Sequence, residues 1–184
     1  LIFEKKNVKE DKIKEKNYDF FLLGYNRIGF SVLRSFIKLR KSYGVVDFNP
    51  ETIKTLSSRK INCIYGDVDD AEFLGEVKLN KSKLVVSTIP DLDTNLLLLK
   101  FIRAGNEKAI VILTARQIND ALRLYKEGAD YVILPHFLGG EYTSRIIEKA
   151  STNKEAYEVE REKQVKDLRE RFKEGHEHPE VERN

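Results

Sequence analysis

Phe20-Phe21-Leu22-Leu23-Gly24-Tyr25-Asn26-Arg27-Ile28-Gly29 reads as a strand, a tight turn and the start of a helix. Four apolar residues in a row suit a strand covered on both faces. Gly24 permits a sharp turn, and Gly29 lets the following helix pack closely. Backbone N–H groups at a helix start carry partial positive charge, so this turn is expected to attract phosphate. The next apolar run, Gly44-Val45-Val46, ends in Asp47. Its carboxylate is expected at the carboxyl edge of a sheet, where it can accept hydrogen bonds from two ribose hydroxyls. A 2′-phosphate there would meet like charge, which argues against NADPH. Asn26 stands where the dinucleotide fingerprint has a second glycine. Asparagine tolerates positive φ, and its amide can donate to a phosphate oxygen. Its bulk weighs against a fully engaged dinucleotide and toward a mononucleotide such as AMP. The plainer reading of the same turn is a glycine-bounded bend with an ordinary helix start.

Outward from this stretch, short apolar runs alternate with helical patterns, as in βαβ units on a parallel sheet. Six strands are expected, over residues 20–23, 44–48, 62–65, 84–88, 109–113 and 131–134. All are short and apolar on both alternations, so the fold class is α/β: a Rossmann-like, doubly wound, six-stranded parallel sheet between helices. Ile28, Val32, Leu33, Phe36 and Ile37 share one helix face, and Pro50 opens the next helix, where its missing N–H is harmless. A short helix follows Asp67-Val68-Asp69-Asp70. Asp93 or Thr94 is expected to cap a long helix over 95–104, whose Leu96-Leu97-Leu98-Leu99 run implies burial on more than one side. A helix over 118–127 ends at Gly128.

After Pro135 the pattern changes. Gly139-Gly140 is expected to break the chain ahead of an amphipathic C-terminal helix over 141–150, whose apolar face either closes the sheet edge or docks on a second copy of the domain. Residues 154–174 form a highly charged helix with a thin stripe of Val165, Leu168 and Phe172. The expected organisation is thus a charged lead-in over 1–17, a nucleotide-binding type of domain over 18–150, and a charged helical tail over 151–184.

Composition narrows the function. The chain has 184 residues, 41% of them hydrophobic and 34% charged, enough for one well-cored domain. Its 33 basic and 30 acidic side chains leave a formal charge of only +3, and no segment interleaves basic and aromatic residues, so nucleic acid is not an expected partner. No run is long enough to span a bilayer, so these residues are expected to be soluble. A chain that begins at Leu1 and contains no methionine is expected to be part of something longer. The single cysteine, Cys63, lies in an apolar run and reads as a buried thiol in a reducing, cytoplasmic compartment. His176-Glu177-His178 lacks further ligands, so no metal site is expected. Asp67, Asp69 and Asp70 are read as helix-start carboxylates in preference to a cation site.

Several motifs in order carry a resemblance. They are Gly24-Tyr25-Asn26-Arg27-Ile28-Gly29, Val45-Val46-Asp47-Phe48-Asn49-Pro50-Glu51, Tyr65-Gly66-Asp67-Val68-Asp69-Asp70, Leu92-Asp93-Thr94-Asn95-Leu96 and Ile112-Leu113-Thr114-Ala115-Arg116. Together they resemble the RCK or TrkA-N family, regulators of potassium conductance, over roughly residues 18–150. The resemblance implies a nucleotide-sensing domain on the cytoplasmic side of the cell membrane. Its implied partner is a potassium channel, a potassium uptake system or a Kef-type cation:proton antiporter, usually with the domain as a homodimer. The implied ligand is NAD(H) or AMP, ADP or ATP. The implied contacts are Gly24, Tyr25, Asn26, Arg27, Ile28 and Gly29 around the phosphates, Asp47 and Phe48 at the ribose, and Gly66, Asp67 and Val68 near adenine. Thr88, Ile89 and Arg116 stand behind these.

No catalytic residue is expected. A hydride-transfer enzyme needs a second structural unit to hold substrate and a group to exchange a proton. His136, the one histidine in the globular part, has no evident carboxylate partner and reads as a loop or interface residue. Two other classes stay open: a small NAD-dependent oxidoreductase, and a ligand-free interaction module built on the same fold.

Overall fold

A computed structural model of the chain describes residues 16–173. Six strands form one parallel sheet: β1 (Phe20–Leu23), β2 (Tyr43–Asp47), β3 (Cys63–Tyr65), β4 (Leu84–Ser87), β5 (Ile110–Thr114) and β6 (Tyr131–Ile133), in the order β3-β2-β1-β4-β5-β6. The order reverses between β1 and β4, which is where folds of this kind open a crevice at the carboxyl ends of their strands. β1 is the central strand, with Leu22 opposite Val45 on one side and Val86 on the other.

The helices are α1 (Arg27–Lys38), α2 (Pro50–Ser58), α3 (Ala71–Glu76), α4 (Leu92–Gly105), α5 (Ile118–Lys126), α6 (Pro135–Ala150) and α7 (Lys154–Lys173). Neighbouring strand residues point to opposite faces, so each strand feeds two cores. Leu22, Val45, Cys63 and Val86 pack with Leu33 and Phe36 of α1 and Ile53 and Leu56 of α2. Phe21, Leu23, Val46, Ile64, Val85 and Val111 pack with Phe73 and Leu74 of α3, Leu98, Leu99 and Ile102 of α4, and Leu124 of α5. Leu96 and Leu97 flank the second core half-buried, so the leucine run is buried on more than one side, as expected. Cys63 is a buried free thiol, beside the Ser57 hydroxyl at 3.2 Å.

At the amino edge of the sheet one side chain joins three segments. The Arg103 guanidinium donates to the carbonyls of Ala109 (2.6 Å) and Gly128 (2.8 Å) and to the Asp130 carboxylate (2.7 Å). The same Asp130 oxygen accepts from Val111 N–H at 2.7 Å. Gly128 sits at φ +102 after α5, as its place at a helix end predicts.

Two expectations are corrected. The long helix starts at Leu92 instead of Asn95, and its cap is Asp91, not Asp93 or Thr94. The Asp91 carboxylate accepts from both the backbone N–H and the hydroxyl of Thr94, each at 2.9 Å. Several good capping residues within one turn left the sequence pattern undecided. Likewise, Gly139-Gly140 does not break the chain, because α6 runs through both glycines. Glycine costs about 1 kcal/mol in a helix interior but does not forbid one, and Thr143 bonds back to the Gly139 carbonyl at 2.9 Å. His136, read as a loop or interface residue, lies in the first turn of α6.

The chain divides into two compact units, one ending at Pro135 and one starting at His136. In the second, Tyr142 of α6 donates to Glu160 of α7 at 3.3 Å, and the turn between them passes through Ser151 at φ +47. Among the described residues of α7 none is buried, as its charged sequence predicts. His176 and His178 lie outside the described residues. No described helix is long and apolar enough to cross a membrane.

Candidate functional site

The turn after β1 is built from contacts that tolerate no side chain at two positions. Gly24 has φ +82, and a Cβ there would lie 2.9 Å from the Thr88 hydroxyl oxygen. A Cβ on Gly29 would lie 2.6 Å from the Gly24 carbonyl oxygen, so α1 can begin this close to the turn only with glycine. Thr88, immediately after β4, is buried and bonds to the turn. Its hydroxyl donates to the Gly24 carbonyl at 2.7 Å, and its backbone N–H donates to Leu23 at 2.9 Å.

Asn26 caps α1. Its Oδ1 accepts from the N–H groups of Ile28 (2.9 Å) and Gly29 (3.2 Å), and its Nδ2 donates to the Thr88 carbonyl at 3.1 Å. Two expectations change here. Asn26 has φ −112, so tolerance of positive φ is not why asparagine fits. The helix-start amides of Ile28 and Gly29 are also not left open, because the Asn26 side chain already satisfies them.

Asp47 ends β2 and is 8% exposed. Its Oδ2 accepts from Tyr25 N–H at 2.7 Å and its Oδ1 from Asn49 N–H at 2.8 Å. Each carboxylate oxygen has two lone pairs, so both retain capacity for a further donor. Beyond β3, Gly66 donates its N–H to the Asp47 carbonyl at 3.2 Å. A Cβ on Gly66 would lie 2.1 Å from the Phe73 ring, which favours glycine where the chain leaving β3 meets that side chain of α3. Asp67 accepts from Asp69 N–H at 3.0 Å, and Asp70 caps α3 through Glu72 N–H and Phe73 N–H. These bonds bear out the helix-start reading of the acidic run for Asp70.

These elements enclose a cleft of about 360 Å³ at the reversal of strand order. Of the expected residues, Gly24, Tyr25, Asn26, Asp47, Phe48, Gly66, Asp67, Val68 and Ile89 line it. Arg27, Ile28, Gly29, Thr88 and Arg116 do not. Gly29 and Thr88 shape the turn from behind, and Arg116 follows β5. Val46, Asp69, Pro90 and Thr94 line the cleft without having been among the expected ligand contacts. Pro90 and Thr94 flank the Asp91 cap, and the proline before a capping aspartate was the signal available for them. The N–H and hydroxyl of Thr94 hold the Asp91 carboxyl below the usual carboxylate range, with the nearby Arg116 charge adding to the effect.

Residues 20–135 match the family model for the TrkA-N domain. Potassium channel protein 1 of Methanocaldococcus jannaschii is 25% identical over 138 residues, 74% of this chain and 41% of that protein. Glutathione-regulated potassium-efflux system protein KefC of Escherichia coli is 25% identical over 136 residues, 74% of this chain and 22% of that protein. The chain thus spans less than half the length of either relative. Among solved structures, the TrkA-N domain of inner membrane protein ybaL from Escherichia coli superposes with a TM-score of 0.66 at 17% identity, covering 72% of this chain and 98% of that one. The Shewanella denitrificans Kef CTD in AMP-bound form gives 0.60 at 16% identity, covering 85% and 94%. The GsuK channel bound to NAD gives 0.57 at 17%, covering 66% and 22%. At these identities the superpositions establish the fold. The match of the family model to residues 20–135, well over half of the chain, shows that the chain belongs to the TrkA-N domain family.

Proposed function

We propose that this chain is a regulatory domain that binds an adenine nucleotide and thereby controls potassium or other monovalent-cation transport by an attached channel or antiporter. The observation that carries the reading is Asp47, a nearly buried carboxylate with spare acceptor capacity, hydrogen-bonded to the Gly24–Asn26 turn and lining with it a cleft sized for a nucleoside. The ribose hydroxyls donate to Asp47, adenine lies toward Gly66, Asp67 and Val68, and the phosphate end points to the turn. Arg27, Ile28, Gly29, Thr88, Ile89 and Arg116 complete the proposed site, the turn residues from behind. The printed names of the relatives supply the transport context, and the AMP-bound and NAD-bound titles of two fold neighbours supply the ligand class. Catalysis forms no part of this reading. The domain acts on the cytoplasmic side of the membrane, as a homodimer, with its transport domain in the same full-length protein.

A ligand regulates only by preferring one arrangement of the protein over another. The first test is therefore binding. Calorimetric titration of the chain with adenosine, AMP, ADP, ATP, NAD and NADH is expected to show saturable binding of at least one of them. The absence of binding and of thermal stabilisation with all six overturns the proposal.

A further inference from the structure

We infer that the cleft selects an adenosine ligand of low negative charge, and that Asn26 is the residue that sets this preference. The inference rests on the adenine-nucleotide reading above and specifies which member of that class the site takes. Phosphate recognition at such a turn uses backbone N–H groups as donors. Here three of them are already engaged: Ile28 and Gly29 by Asn26 Oδ1, and Tyr25 by Asp47 Oδ2. The Asn26 side chain is itself anchored by its bond to the Thr88 carbonyl. A pyrophosphate arriving at the turn must displace that side chain from both amides and from Thr88, or dispense with those donors.

Charge acts in the same direction. Asp47, Asp67 and Asp69 all line the cleft, and among the described residues no lysine or arginine lines it. Every added phosphate brings more negative charge toward three carboxylates in a partly enclosed space, where Coulomb repulsion is screened less than in water. The nucleoside end meets no such opposition, because ribose hydroxyls are donors and Asp47 keeps lone pairs to accept them. The order of preference is therefore adenosine and AMP ahead of ADP and NADH, with ATP last.

The test is calorimetry of the 184-residue chain and of two variants, Asn26→Gly and Asn26→Asp, with adenosine, AMP, ADP, ATP and NADH at one fixed low ionic strength. In the unaltered chain, affinity is expected not to rise from adenosine to AMP and to fall from AMP to ATP. N26G releases the two amides, and is expected to raise the affinity for ADP and NADH relative to adenosine by about tenfold or more. N26D keeps a capping acceptor and adds a charge, so it is expected to weaken AMP relative to adenosine. Each readout is a ratio between ligands on one protein, so a loss of folded material in a variant cancels. Affinity that climbs steadily from adenosine to ATP, with N26G leaving the ratios unchanged, overturns this inference and leaves the nucleotide reading intact. Failure of these five ligands and of NAD to bind overturns both.

Discussion

The Thr88 hydroxyl donates to the carbonyl of Gly24 at 2.7 Å, joining the end of β4 to the turn after β1 across the point where strand order reverses. Threonine and valine have nearly the same shape, so Thr88→Val removes the bond while filling the space. The Gly24 carbonyl then loses a buried partner, and the expected destabilisation is about 1–3 kcal/mol. Urea denaturation checks this, and an unchanged midpoint would show that the bond contributes nothing net to the fold.

Asp47 holds the turn through Tyr25 and Asn49, and this task can be separated from the ribose contact proposed for it. Asp47→Ala removes the acceptor for Tyr25 and Asn49 N–H as well as the proposed ribose contact. Weakening of adenosine binding by about 1–3 kcal/mol is expected. Asp47→Asn keeps one acceptor oxygen for the turn but halves the acceptor capacity toward ribose. It should retain more stability than the alanine variant while still binding more weakly. Calorimetry and thermal melts on both proteins decide the point: equal affinity in all three versions removes Asp47 from the site.

Gly66 is fixed by Phe73. Gly66→Ala brings a methyl group onto the ring and should destabilise by about 1–3 kcal/mol through overpacking. Phe73→Leu makes room, so the double variant should lose less than the sum of the two single changes. A double-mutant cycle measures the coupling, and simple additivity would mean that the glycine serves the cleft and not the packing.

Tyr18 gives a pH dependence. Its hydroxyl is buried without a hydrogen-bond partner among the described residues, and burial pushes its pKa up to about 12. The unfolded tyrosine ionises near its ordinary value of 10.0. Between these values the unfolded state releases a proton that the folded state keeps, so the contribution is fully present below pH 10 and is lost as pH rises toward 12. Tyr18→Phe is expected to flatten that alkaline decline. Near pH 7 it should leave stability equal or higher, since it deletes an unsatisfied buried hydroxyl. Denaturant titrations at pH 7 and pH 11 test both halves, and an identical alkaline slope in the variant would remove Tyr18 as its source.

The strands were legible because each is a short apolar run between turn-forming residues, and every one falls within a residue or so of its expected bounds at each end. Phe48, Asn62, Thr88, Ala109 and Leu134 drop from strand ends, while Tyr43 and Thr114 join. Of the cleft residues, Gly24, Asn26 and Asp47 were legible because strand ends converge on one edge of a parallel sheet, whereas Tyr25, Phe48 and Gly66 to Val68 were reached through the family resemblance. The role of Asn26 was not legible. It depends on Thr88, 62 residues away, reaching back to hold its side chain. The need for glycine at position 66 likewise comes from a ring on the following helix, which no local pattern records. Helix limits were the weakest, since Asp91, Asp93 and Thr94 compete to cap one turn and since glycines that read as a break can be carried inside a helix.

The Gly24–Gly29 turn is stitched internally by Asp47, Asn26 and Thr88 before any guest enters. A crevice whose wall is already in its final form surrenders little backbone entropy when it fills. Guests of equal charge then approach a rigid opening at similar rates, so discrimination among them is expressed mainly in residence time.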